Sequence, residues 1–257
     1  MKRVHIVGSV RSGTSLMLSC MVNGFQHDAS CEHEMTVFKE PEGVPRLFIS
    51  KHPSDIKRIH LILRHDPNLF VIYMERDPRA VIASIHPIDP ARYFADFRIW
   101  KESHKSAKKL ADESRFKLVR YENLVESPDD VQRELAAHWP FLEMTDPYST
   151  FEQKATPSFK AVEAMKGVRP ISTDRIDGWN EHLPRVQAQA GRYPEMAGLL
   201  VACGYEADDE WMKSLDGVEK DDRSSFYEDK ENWLQAVERA VRYTFKVAAY
   251  KRRHPAA

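Results

Sequence analysis

A glycine-bounded loop, Gly8 to Ser15 (GSVRSGTS), follows a short apolar run at Val4 to Val7 and opens a helix-patterned stretch running to Met21. Strand, loop and helix in that order can converge backbone N–H groups on an anion at the helix N-terminus, so the chemistry to expect is phosphate binding. Gly8 and Gly13 stand five apart, the separation of a phosphate loop. After Gly13, however, Thr14 and Ser15 occupy the places where a nucleotide triphosphatase carries Lys and then Ser or Thr, and Arg11 is the loop's sole cation. The same glycines could also serve the geometry of a tight turn and nothing more.

A second anion site can be read where the apolar run Leu69 to Met74 gives way to Glu75, Arg76, Asp77 and Pro78. Asp77 can cap, and Pro78 can begin, a helix over Arg79 to His86. Ser84 would lie about two turns of ~3.6 residues into it, near the face that starts at Asp77. The Arg76 guanidinium offers a fork of donors to a dianion; its bland alternative is a surface arginine beside Asp77. Charged and titratable residues also gather at Glu32, His33 and Glu34, and at Lys51 and His52. From Lys154 to Arg175 five basic residues (Lys154, Lys160, Lys166, Arg169, Arg175) face only Glu163 and Asp174. A long basic irregular segment is either functional or a solvated charged loop.

The elements that must hold these residues alternate. The pattern predicts a helix over Thr14 to Asn23 stopped by Gly24, an extended piece over Ala29 to Phe38, and a strand over Leu47 to Ser50 that delivers Lys51, His52 and Pro53. A helix over Ser54 to His65 and the strand Leu69 to Met74 follow; the latter, LFVIYM, is apolar throughout, as suits a strand buried on both faces of a parallel sheet. Then come a polar helix over Arg92 to Asp112, a strand over Phe116 to Tyr121 and a helix over Asp129 to Trp139. Helices over Val186 to Ala202 and Asp229 to Arg253 complete the chain. Strands alternating with helices imply an α/β fold, a parallel sheet wound in βαβ units with ligands beyond the carboxyl ends of its strands.

At 257 residues, 42% hydrophobic and 30% charged, the chain can bury one large α/β core, which favours a single domain over 1–257 with a core at about 1–139 and a lid and helical part at about 140–257. A net charge of -1 offers no bulk attraction to nucleic acid or to an anionic membrane. No signal peptide or apolar run of transmembrane length is seen, so a cytoplasmic location is expected. Three widely spaced cysteines and eleven histidines without a helical His-Glu-x-x-His pair point to no disulfide framework and no metal. The C-terminal helix is amphipathic, acid-rich at its start and basic at its end, and should pack on the domain or on a second copy in a homodimer.

The loop resembles the 5′-phosphosulfate loop of sulfotransferases that use 3′-phosphoadenosine 5′-phosphosulfate (PAPS), in which Lys or Arg precedes Ser-Gly-Thr; here these are Arg11, Ser12, Gly13 and Thr14, with Ser15 next. Arg76 and Ser84 stand at the spacing of that family's 3′-phosphate motif, and Arg120 to Leu124, with Tyr121, resembles the strand and turn that follow it. Lys166, Gly167 and Arg169 resemble its Lys-Gly lid over the 3′-phosphate and adenine. The ordered likeness spans roughly Val4 to Leu124 and becomes patchy towards Tyr205. It implies a P-loop-like three-layer sandwich with a helical C-terminal part, PAPS as cofactor with 3′,5′-adenosine diphosphate as product, and no metal.

Within Glu32-His33-Glu34-Met35-Thr36-Val37-Phe38 the resemblance to glycan sulfotransferases gives Glu34 the role of base, and Lys51-His52-Pro53 matches their Lys-x-Pro turn. Lys51 would then stabilise charge on the leaving phosphate. The small-molecule branch instead uses a histidine two places after the lysine. Here His52 is adjacent, and neighbouring strand residues face opposite ways, which makes Glu34 the expected base and His52 the runner-up. The acceptor expected is a hydroxyl on a small molecule or glycan, on the glycan side a carbohydrate or glycolipid. A P-loop kinase and a non-catalytic nucleotide-binding protein are the competing readings.

Overall fold

The computed structural model describes residues 1–154, 170–228 and 233–254, with side chains left aside at Lys154 and 233–236. Five strands form one sheet: β1 Lys2–Gly8, β2 Ala29–Ser30, β3 Leu47–Lys51, β4 Leu69–Glu75 and β5 Phe116–Arg120. Their order is β2-β3-β1-β4-β5, and every pairing is parallel. The helices are α1 Thr14–Gly24, α2 Ile56–Ile59, α3 Pro78–Ile82, α4 Phe97–Lys108, α5 Tyr121–Glu126, α6 Pro128–His138, α7 Phe151–Lys154, α8 Leu183–Arg192, α9 Glu195–Ala202 and α10 Trp233–Arg253. β1 lies at the centre, where every residue from Val4 to Gly8 is buried.

The sheet has a core on each face, as an all-parallel sheet requires. Val4, Ile6, Ile72 and Met74 pack with Met17, Met21, Leu124 and Leu135 on one side. Val7, Val71 and Tyr73 pack with Ile56, Ile59, Leu63 and Leu110 on the other. A third cluster joins α3, α4, α8 and α9 through Val81, Trp100, Val186 and Leu200. The fold is therefore an α/β parallel sheet flanked by helices, of P-loop-like type. Among the described residues no helix is long and apolar enough to cross a membrane.

Several elements differ from the pattern. The helix expected over Ser54 to His65 is a turn of tight helix at Pro53–Asp55 and the single turn α2, continued by i→i+3 bonds such as Leu61 to Arg58 that still bury Ile62 and Leu63. The helix expected from Arg92 starts at Phe97, because Asp96 caps it by accepting from Ile99 N at 3.0 Å while Tyr93 bridges to Ile85 and Ser225. Pro194, lacking an N–H, divides the helix expected over Val186 to Ala202 into α8 and α9. Only Ala29 and Ser30 of the extended piece Ala29 to Phe38 pair as a strand, and Tyr121, expected to end a strand, opens α5.

The C-terminal helix packs on its own chain. Tyr243, Val247 and Tyr250 join the second core, and the Tyr250 hydroxyl donates to Asp66 at 2.6 Å. Val237 and Val241 on the same helix are about half exposed, and 229–232 lie outside the described residues.

Candidate active site

The loop between β1 and α1 turns because its residues tolerate what the path demands. Arg11 and Gly13 are both left-handed, at φ 66° and 89°. A methyl group on Gly13 would also fall 2.5 Å from Cδ2 of Tyr121, so the ring of α5 lies directly on the loop. Gly8 is closed in as well, its would-be Cβ 2.6 Å from the Met74 carbonyl oxygen. The first N–H groups of α1 lack intrahelical partners by construction and carry the positive end of the helix dipole. Arg11, Gly13, Thr14 and Ser15 line one cavity of about 500 Å³ beyond the ends of β1, β3 and β4. Ser12 does not: it is fully buried and its hydroxyl donates to the Ser9 carbonyl at 2.7 Å, which fastens the loop.

Three guanidinium groups, those of Arg11, Arg76 and Arg175, converge on this cavity. Burial first, and then repulsion from Arg76 and Arg175, lowers the pKa of Arg11, an environment that an anion would relieve. Arg76 sits 4.1 Å from the centre of the Tyr121 ring and donates to the carbonyls of Arg11 at 3.2 Å and Arg175 at 2.6 Å. Its buried Nε has no partner among the described residues. Trp100 in turn donates to the Arg76 carbonyl at 2.9 Å. Asp77 does not pair with Arg76; it caps α3 through Arg79 N and binds the Arg79 side chain.

Ser84 is placed differently from expectation. α3 ends at Ile82, so Ser84 lies past the helix, where it accepts from Arg11 Nε at 2.7 Å. It thereby ties the second motif to the first. Lys166, Gly167 and Arg169 lie outside the described residues, though Pro170, Ile171, Ser172, Asp174 and Arg175 just after them line the cavity.

The cavity is also lined by His33, Glu34, Lys51, His52, Ser54 and the ring of Tyr227, while the Phe94 ring lies 5.3 Å from the Arg11 guanidinium. Lys51, at the last position of β3 and 1% exposed, donates to Glu34 at 3.0 Å and to Ser15 at 3.1 Å, linking the loop to the carboxylate. The expectation that His52 faces away from Lys51 is not met. β3 ends at Lys51 and Pro53 starts a tight turn; His52 between them is still extended and donates to the Ile6 carbonyl at 3.0 Å, yet it lines the same cavity.

Behind His52 is Asp55, which sequence reasoning missed although it falls three residues after His52 in a Pro-initiated turn. Asp55 is buried and lies 3.2 Å from His52 Nδ1; it also accepts from Thr36 Oγ1 at 3.0 Å and Val37 N at 2.6 Å. The hydrogen bond from His5 and the His52 ring close by hold its carboxyl far below the usual range despite burial, and against the cost of its own burial the Asp55 contact raises the pKa of His52. His5, fully buried, is pushed down to about 4 by desolvation. It is therefore neutral: Ser50 accepts from Arg3 at 2.9 Å and donates to His5 Nδ1 at 2.8 Å, which leaves Nε2–H to donate to Asp55 at 3.2 Å.

Sheet order, glycine loop and cavity define a P-loop-like α/β protein whose cation-lined cavity lies at the switch between β1 and its neighbours. The model of the sulfotransferase family matches residues 23–141, a span that holds Glu34, Lys51, His52, Arg76, Ser84 and Tyr121 and begins after the glycine loop. The sulfotransferase domain of the curacin biosynthetic pathway shares the fold at TM-score 0.52 and 18% identity, over 80% of this chain and 98% of that one. The sulfotransferase domain of the Synechococcus PCC 7002 olefin synthase aligns at TM-score 0.46 and 17% identity, over 69% of this chain and 87% of that one. No curated protein matches the sequence. The family model covers somewhat under half of the chain, and the likeness to the curacin-pathway domain is one of fold.

Proposed function

We propose that the protein moves a sulfuryl group from PAPS to an acceptor hydroxyl. The observation that carries this reading is the convergence of Arg11, Arg76 and Arg175 on a cavity floored by the glycine loop and reached by Lys51. An unpartnered Arg76 Nε and a helix N-terminus free of acidic first-turn residues suit a nucleotide with two separated anionic groups. Arg76, with Ser84 and Arg11 beside it, would hold the 3′-phosphate; the loop from Gly13 to Ser15 would hold the 5′ end; Tyr121 would wall the site. Lys166, Gly167 and Arg169 complete the proposed contacts.

PAPS supplies an activated sulfuryl group whose departure from the phosphate needs no protein nucleophile. The chain's own part is to remove the acceptor proton and to oppose the charge left on the phosphate. Glu34 is the proposed base and Lys51, between Glu34 and Ser15, the cation. A second reading rests on Asp55: a buried carboxylate against Nδ1 would orient a neutral His52 and stabilise the imidazolium it becomes on taking the acceptor proton. A carbohydrate or glycolipid hydroxyl suits the acceptor end, where apolar rings stand beside a few polar groups.

The test is a thermal scan with 3′,5′-adenosine diphosphate against ATP with Mg2+, followed by transfer from labelled PAPS. At a hundred times its dissociation constant the former should add about 2.7 kcal/mol, or roughly 5–10 °C. Stronger stabilisation by ATP with Mg2+ would overturn the reading.

A further inference from the structure

Directly behind Arg76, away from the cavity, three ionisable side chains from three elements meet in a dry setting. Glu75 ends β4, His104 lies on α4 and Cys203 follows α9, and all three are buried. Glu75 Oε1 is 2.7 Å from His104 Nδ1, and Cys203 Sγ is 3.7 Å from His104 Nε2. One candidate ligand atom from each residue falls within 4.8 Å of the others. Trp100 stacks on the imidazole at 4.9 Å with the planes 8° apart, so the ring cannot easily turn.

These distances have the form of a metal site and its support. With a Zn–S bond of about 2.3 Å and a Zn–N bond of about 2.0–2.1 Å, tetrahedral ligands stand about 3.6 Å apart; the observed Sγ to Nε2 separation is 3.7 Å. The carboxylate on Nδ1 is the partner that orients a ligating imidazole and leaves Nε2 to the metal. A second observation points the same way. The Tyr73 hydroxyl is fully buried and has no hydrogen-bond partner among the described residues. Tyr73 shares the strand face of Glu75, two residues on, and the groups that act on it electrostatically are Glu75 and Cys203. A buried hydroxyl without a partner is costly and calls for a physical reason.

We infer that Cys203 Sγ and His104 Nε2 form a zinc-type site, with Glu75 orienting the imidazole and the Tyr73 hydroxyl facing the coordination sphere. Thiolate and imidazole together select zinc and similar soft-tolerant ions over magnesium or calcium. The pair of anions, thiolate and carboxylate, balances a divalent ion, so the occupied site is neutral in an apolar surrounding. The site lies outside the transfer chemistry proposed above and does not depend on it.

The test uses the full chain, stripped with a chelator, loaded with Zn2+ and passed through a desalting column. Metal analysis should give one zinc per chain. Loading with Co2+ instead should give the near-ultraviolet thiolate-to-cobalt charge-transfer band. Cys203→Ser should lose that band, His104→Gln should lose the bound metal, and Glu75→Gln should bind zinc about 10–100-fold more weakly. Since buried variants can misfold, protection is measured in the unaltered chain as well: Zn2+ should slow alkylation of Cys203 in mild denaturant but not that of Cys20. A metal-free unaltered chain, a cobalt complex without the thiolate band, or equal alkylation of Cys203 with and without zinc would overturn the assignment.

Discussion

Replacing Gly13 by alanine tests whether the glycine loop is set by the aromatic residue above it. Two costs are separable. The first is backbone strain: at φ 89° a Cβ costs about 1–2 kcal/mol. The second is the clash, since the new methyl would sit 2.5 Å from Tyr121 Cδ2, about an ångström inside ordinary contact. Tyr121 is buried and carries the Arg76 guanidinium 4.1 Å from its ring centre, so moving the ring moves the proposed phosphate clamp. Losing one charge-assisted contact of about 1.5–3 kcal/mol weakens binding roughly ten- to a hundredfold. Gly43 supplies the control, because it is also left-handed, at φ 74°, with nothing within 4 Å of its would-be Cβ. Urea unfolding should show Gly43→Ala losing about 1–2 kcal/mol, and titration calorimetry should show its affinity for 3′,5′-adenosine diphosphate unchanged. Gly13→Ala should lose stability and affinity together. If it binds the nucleotide as the unaltered chain does, Tyr121 does not govern the clamp and the reasoning fails.

Arg76→Ala should weaken binding of 3′,5′-adenosine diphosphate roughly ten- to a hundredfold and erase much of its advantage over adenosine 5′-phosphate in calorimetry; an intact preference would put the clamp elsewhere. In single-turnover transfer from PAPS, Glu34→Gln should fall by about 10²–10⁴ with little change in nucleotide affinity, and Lys51→Ala should also lose turnover. A dead His52→Asn beside a nearly normal Glu34→Gln would instead make the Asp55-backed histidine the base. His5 predicts a pH dependence of stability. Its folded value of about 4 lies below the ordinary 6.5, so the unfolded chain takes up the proton first and stability falls as pH drops from about 6.5 to 4. The shift corresponds to roughly 3 kcal/mol, and Asp55, held lower still, stays charged through that window. Urea titrations in this range should be correspondingly flatter for His5→Asn.

Legibility followed distance along the chain. The loop could be read because its glycines, its arginine and the flanking strand and helix are contiguous, and Arg76 because a strand end and a proline-started helix bracket it. Ser84 was singled out by spacing, yet the helix invoked to place it stops two residues short, and its partner is Arg11. His52, expected to face away from Lys51, lines the same cavity at the point where β3 gives way to the turn begun by Pro53. Asp55, local but without a motif, and Phe94 and Tyr227, brought in from far along the chain, left no signal in spacing. Glu75, His104 and Cys203 meet only through the packing of β4, α4 and α9, which no linear pattern reports.

The contact between Gly13 and Tyr121 also bears on engineering. A glycine loop of this kind is commonly treated as a cassette, a short string that can be grafted wherever a strand meets a helix. Here the cassette has a counterpart at the start of α5, and that residue in turn supports the arginine at the end of β4. Grafting Gly8 to Ser15 alone would transfer a turn without its function. The transferable unit is the discontinuous set of loop, tyrosine and arginine, and libraries that diversify one of the three should vary the other two in the same clones.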